Sequence, residues 1–97
     1  MKVNLNHCFV DAFGKQIEKS NIAEKLGMVL FNLSTVNGAP LGGAKKYEAY
    51  SLCHRIASNP EAVELTVEEA ALLKDVCAEQ LSAGAYGQIV DLIEKND

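Results

Sequence analysis

Apolar residues recur at helical spacing in four stretches of this chain, and each stretch is bounded by residues that stop a helix. In the first, Ile22, Leu26, Val29, Leu30 and Leu33 follow Ser20 and Asn21, either of which can cap a helix N-terminus, and Asn21 with Glu24 has capping-box spacing. This predicts a helix over 21–35. Met28 and Phe31 widen its apolar stripe, which predicts a central position, and Gly27 reads as a site of close packing. The segment Val36-Asn37-Gly38-Ala39-Pro40-Leu41-Gly42-Gly43 is dense in breakers and predicts a flexible hinge.

The second stretch, 44–58, carries Ala49, Leu52, Cys53 and Ile56 on one stripe flanked by Tyr47 and Tyr50, with Lys45, Lys46, His54 and Arg55 elsewhere. Asn59-Pro60 closes it, because a residue before proline avoids helical dihedrals. The clearest local signal is Leu65-Thr66-Val67-Glu68-Glu69. Thr66 can cap the Glu69 amide while the Glu69 carboxylate reaches back, and both glutamates complement the positive end of the helix dipole. The third helix, 67–82, then places Ala70, Leu73, Cys77 and Leu81 on one face beside Leu72 and Val76, with Gly84 as its terminating residue. A fourth, 85–94, turns Tyr86, Ile89, Val90, Leu92 and Ile93 inward, and Lys95-Asn96-Asp97 is expected to fray.

Ahead of the helices, Val3, Leu5 and Phe9 alternate with Lys2, Asn4 and Asn6, with His7 in the intervening inward slot. Asp11-Ala12-Phe13-Gly14-Lys15 supplies turn chemistry, and Gln16-Ile17-Glu18 can return, which predicts a β-hairpin over 2–18. The expected fold class is α+β, mainly α, in a single domain over 1–97, since 97 residues provide one core and no second.

No apolar run approaches the ~20 residues of a membrane span, and residues 1–6 lack the apolar stretch of a secretory signal. Cys8, Cys53 and Cys77 are odd in number and lack C-x-x-C spacing, so a disulfide framework is not expected and a cytoplasmic protein is. Charge is uneven. Residues 1–59 hold seven Lys/Arg against four Asp/Glu, a balance of +3, and residues 60–97 hold two against nine, a balance of −7, which sum to the net −4. The acidic part is a poor wrapper of phosphate backbones and suits a basic partner surface.

Chemical motifs are sparse. Gly42-Gly43-Ala44-Lys45-Lys46 has neither P-loop nor dinucleotide-loop spacing, so no cofactor is expected. The adjacent pairs His7-Cys8 and Cys53-His54 diverge by geometry and offer no chelate, so no metal is expected. Cys8, His54 and Asp11 are a nominal nucleophile–base–acid set without a supporting motif, and no catalytic residue is assigned. Two helices joined at Ser82-Ala83-Gly84 invite a helix-turn-helix reading, but the second offers Gln88, Asp91 and Glu94 where base-reading residues belong.

What remains is protein binding by a non-enzymatic module, through Phe13 at its turn, the Tyr47/Tyr50 edge and the acidic face of Glu68, Asp75 and Glu79. Three segments, Asp11-Ala12-Phe13-Gly14-Lys15-Gln16-Ile17, Leu65 to Glu69 and Gly87-Gln88-Ile89-Val90-Asp91-Leu92-Ile93-Glu94, together with the Tyr47 helix, resemble small phage and prophage accessory proteins of undefined role. That resemblance implies a compact accessory protein that acts by binding a host or viral protein, and it transfers no functional residue; the leading expectation is a phage-encoded modulator or inhibitor of a host protein. Two alternatives stay open: a structural or assembly subunit, with homo-oligomers allowed, and a nucleic-acid binder through Lys45, Lys46 and Arg55.

Overall fold

A computed structural model describes residues 1–95; the expected fraying of Asn96 and Asp97 lies outside them. The chain runs β1 (Lys2–Val3), β2 (Cys8–Val10), β3 (Gln16–Asn21), α1 (Ile22–Phe31), β4 (Thr35–Val36), β5 (Ala39–Pro40), α2 (Gly43–Ser58), β6 (Val63–Glu64), α3 (Val67–Gln80) and α4 (Ala83–Glu94). It is an α+β, mainly α fold with three antiparallel strand pairs: β1–β6, β2–β3 and β4–β5.

The first strand does not join the hairpin expected over 2–18. Residues 2–3 pair instead with 63–64, Val3 opposite Val63, and both side chains are buried. The Leu5 amide donates to the Pro60 carbonyl at 2.8 Å, extending this attachment. The hairpin is β2–β3, and its register shifts between Cys8 and Val10, so that β3 is longer than the strand it faces. Lys19 takes the left-handed conformation (φ 59°) within that bulge. His7, expected inward, is exposed. The alternation breaks because the chain turns there: the His7 amide donates to the Leu5 carbonyl, and the His7 carbonyl accepts from the Ile22 amide.

The first helix starts where Asn21 caps the Glu24 amide (3.1 Å) and stops at Phe31, four residues short of the expected end. Asn32 ends it: its backbone and side-chain N–H groups both donate to the Met28 carbonyl. What reads as a flexible hinge over 36–43 is the β4–β5 hairpin followed directly by α2. Asn37 and Gly38 both have positive φ, 54° and 77°, the type I′ geometry whose twist matches the flanking strands. The Glu79 carboxylate accepts from the Asn37 amide at 2.6 Å, tying this turn to α3.

Around Thr66 the capping box forms in full: Thr66 Oγ1 accepts from the Glu69 amide at 3.1 Å and Glu69 Oε1 from the Thr66 amide at 2.9 Å. The third helix ends at Gln80, not 82. Ser82 caps α4 through the Ala85 amide, so Gly84 lies inside the first turn of α4 rather than terminating α3. One core joins all four helices to the strands: Leu26 and Leu30, Leu52 and Ile56, Leu73 and Val76, and Ile89 and Ile93 meet Val3, Leu5 and Val63. Cys53 and Cys77 belong to that core, as their helical positions predict.

Candidate functional site

The helices α1 and α2 pack against each other in opposite directions. The Cys53 thiol donates to the Gly27 carbonyl at 3.2 Å, and the Phe31 and Tyr50 rings meet at 6.5 Å, so ascending residues of one helix meet descending residues of the other. Their buried stripes, Ile22, Ala23, Leu26 and Leu30 against Ala49, Leu52, Cys53 and Ile56, face the core. The adjoining stripe of α1 faces solvent. Met28 and Phe31, expected at the centre of the protein, are 66% and 63% exposed. Helical periodicity counts apolar positions, and α1 carries more of them than the core accepts.

Tyr47 and Tyr50 join this surface from α2. The Tyr47 and Tyr50 rings lie 5.9 Å apart, and His54 stands edge-on to Tyr50 at 4.5 Å. Phe31, Tyr50, Tyr47 and His54 thus form one chain of ring contacts across two helices. Beside it runs a groove of about 660 Å³, floored by Ala23, Gly27, Cys53 and Ala57 and walled by Met28 and Phe31. A methyl group built on Gly27 meets nothing within 4 Å. The α1–α2 contact at the Gly27 carbonyl therefore does not require a missing side chain, contrary to the expected role of the glycine, whose lack of one leaves the groove open there.

The remaining sites expected from sequence are separate. Phe13 is 91% exposed on a turn fixed by the Asp11 carboxylate, which accepts from the Phe13 and Lys15 amides at 2.9 and 3.0 Å. No ring contact among the described residues joins Phe13 to Tyr47 or Tyr50. On α3, Glu68, Asp75 and Glu79 are exposed, but Glu79 is engaged by the Asn37 amide. Arg55, one of three cations considered for nucleic acid, is not free: its guanidinium donates to both Glu69 oxygens, at 2.7 and 2.8 Å, and to the Glu64 carbonyl at 3.0 Å. Lys45 contacts Glu48 at 3.4 Å.

Electrostatics follow this arrangement. Burial pushes the Glu69 carboxyl upward, but its bonds from Arg55 and the Thr66 amide outweigh that and hold it below the usual carboxylate range. Burial raises the Cys53 thiol and pushes Cys77 up to about 11. Cys8, His54 and Asp11 are not brought together as a reacting set: Asp11 holds its own turn, His54 lies against Tyr50, and Cys8 is on β2. Among the described residues no group of three His, Cys, Asp or Glu side chains is placed to hold a metal ion, and no helix is long and apolar enough to cross a membrane.

Tyr47 and Tyr50 are legible in the sequence as surface residues, whereas Met28 and Phe31 read as core. The signal that separates them is the early stop at Asn32, which limits α1 to ten residues and one buried stripe. No protein-family model, curated protein or solved structure matches this chain.

Proposed function

We propose that the chain is a non-catalytic protein-binding module that presents the apolar face of α1 and α2 to its partner. The observation that carries this reading is the contiguity of Met28, Phe31, Tyr50 and Tyr47, four exposed large apolar side chains of which Met28 and Phe31 line a groove and the two tyrosines adjoin Phe31 through ring contacts. Isolated exposed apolar residues need no explanation, whereas a contiguous aromatic patch beside a concavity is what partner surfaces use. A role as a phage or prophage accessory protein acting on a host protein belongs to the same proposal, as does residence in the cytoplasm, which suits three free thiols.

The acidic face of Glu68, Asp75 and Glu79 stands behind this surface, because Glu79 already holds the β4–β5 turn and the other two are separately solvated. Nucleic-acid binding through Lys45, Lys46 and Arg55 stands further behind, because Arg55 is engaged with Glu69 and Lys45 with Glu48.

Photo-crosslinking tests the reading. With p-benzoylphenylalanine at position 31, irradiation of expressing cells is expected to give covalent protein adducts, and the same residue at position 75 is expected to give few. Adducts from position 75 alone, or none from position 31, overturn it.

A further inference from the structure

The apolar face has a charge at each end, and the order of those charges says what covers it. With 100° per residue, Lys46, Tyr50, Cys53 and Ala57 of α2 fall within about 60° of one another, on the stripe that borders the groove. On α1, Glu24, Met28 and Phe31 fall within about 60° by the same count. Because the helices are antiparallel, with Gly27 at Cys53 and Phe31 near Tyr50, Glu24 lines the Ala57 end of the groove, and Lys46 stands on α2 one turn beyond Tyr50, past the Phe31 end. The rise of a helix over residues 46 to 57 puts them about 16 Å apart along the helix pair. Glu24 and Lys46 are both exposed, and neither has an ion-pair partner among the described residues.

An apolar centre with an acidic end and a basic end is self-complementary under a two-fold rotation. The axis must pass midway between Glu24 and Lys46, at the level of Tyr50 and Cys53. Rotation about it sets Lys46 of each copy over Glu24 of the other and brings two Phe31–Tyr50 clusters together over two recesses left open at Gly27. The pairing uses both charges and the whole apolar stripe, and it places α1 and α2 of two copies in a four-helix layer.

Resting on the binding-face reading above, we infer that the occupant of this face is a second copy of the chain, packed antiparallel through α1 and α2. Each subunit then contributes one Lys46 and one Glu24 to two symmetric ion pairs at the rim. A parallel arrangement brings like charges together and is disfavoured.

Sedimentation velocity over a micromolar-to-millimolar series of the full chain tests this. The unaltered chain is expected to show a monomer–dimer equilibrium, and Phe31→Ser to stay monomeric. Glu24→Lys and Lys46→Glu are each expected to weaken the dimer about tenfold or more at low salt. The double variant is expected to regain most of the loss. Mixing the two single variants is expected to yield a dimer that neither forms alone, since one chain then carries lysine at both rim positions and the other glutamate at both. Circular dichroism of each variant establishes that the helices persist. A monomer throughout the series, or a dimer indifferent to these charges, overturns the inference. If the chain is monomeric while position 31 still crosslinks to a different protein, the dimer fails and the binding face stands. If position 31 gives no adduct of either kind, both fail.

Discussion

The guanidinium of Arg55 bonds both carboxylate oxygens of Glu69, at 2.7 and 2.8 Å, and so joins α2 to the first turn of α3. Glu69 closes the capping box through the same carboxylate, so one side chain both starts α3 and anchors it to α2. Its folded pKa lies below the unfolded value of about 4.3. The stability it contributes is therefore complete above that unfolded value and is lost as pH falls through the folded pKa. Glu69→Gln is expected to destabilise the protein by about 2 kcal/mol at neutral pH, the scale of a charge-assisted hydrogen bond. Urea titrations of the two proteins are expected to converge as pH falls below the unfolded value and through the lower folded pKa of Glu69. A difference that is unchanged at acid pH contradicts this role of the Glu69 charge.

A second tie fixes the hairpin. The Gln88 carboxamide accepts from the Val10 amide at 2.8 Å and donates to the Val10 carbonyl at 3.0 Å, pairing with β2 as a neighbouring strand does. Gln88→Ala leaves both backbone groups to solvent. It is expected to cost about 1 kcal/mol and to speed hydrogen exchange at Val10 while the α1 and α2 amides keep their protection.

Gly27 lies inside α1 with room for a methyl group. Gly27→Ala is accordingly expected to raise stability by about 0.5–1 kcal/mol in thermal or chemical denaturation, the helix-propensity difference between the two residues. A loss of stability contradicts the open space at Gly27.

The thiols divide by burial. Cys53 and Cys77 lie in the core with raised pKa values, that of Cys77 at about 11, whereas Cys8 is half-buried on β2. Iodoacetamide at mildly alkaline pH is expected to add once to the native protein, at Cys8, and three times in guanidinium chloride, as read by intact mass. Native labelling at Cys77 contradicts its placement.

How far the fold is legible in the sequence depends on the range of the interactions involved. The α3 start at Thr66 and Glu69 can be read directly, because its partners are three residues apart. The β1–β6 pair cannot: it joins residues 2–3 to 63–64, and a two-residue strand has no period to detect. Asn37-Gly38 is a strong hairpin signal, but counting glycines treats it as a break and hides it. At the binding face, the Tyr47/Tyr50 edge is visible because two aromatics flank the buried stripe of α2. Met28 and Phe31 are hidden by their own helical spacing, which is the same whether the neighbour is the core or another protein.

The chain has two methionines, and they separate the binding face from the rest of the surface in one spectrum. Met28 lies on the α1–α2 face and Met1 beside β6, and both are exposed. With both methyl groups carbon-13 labelled, a concentration series is predicted to shift or broaden the Met28 resonance while Met1 stays fixed, and Phe31→Ser is predicted to abolish the change. A Met28 resonance that stays fixed while Met1 moves, or a Met28 shift that Phe31→Ser leaves intact, contradicts the assignment of this face as the binding surface.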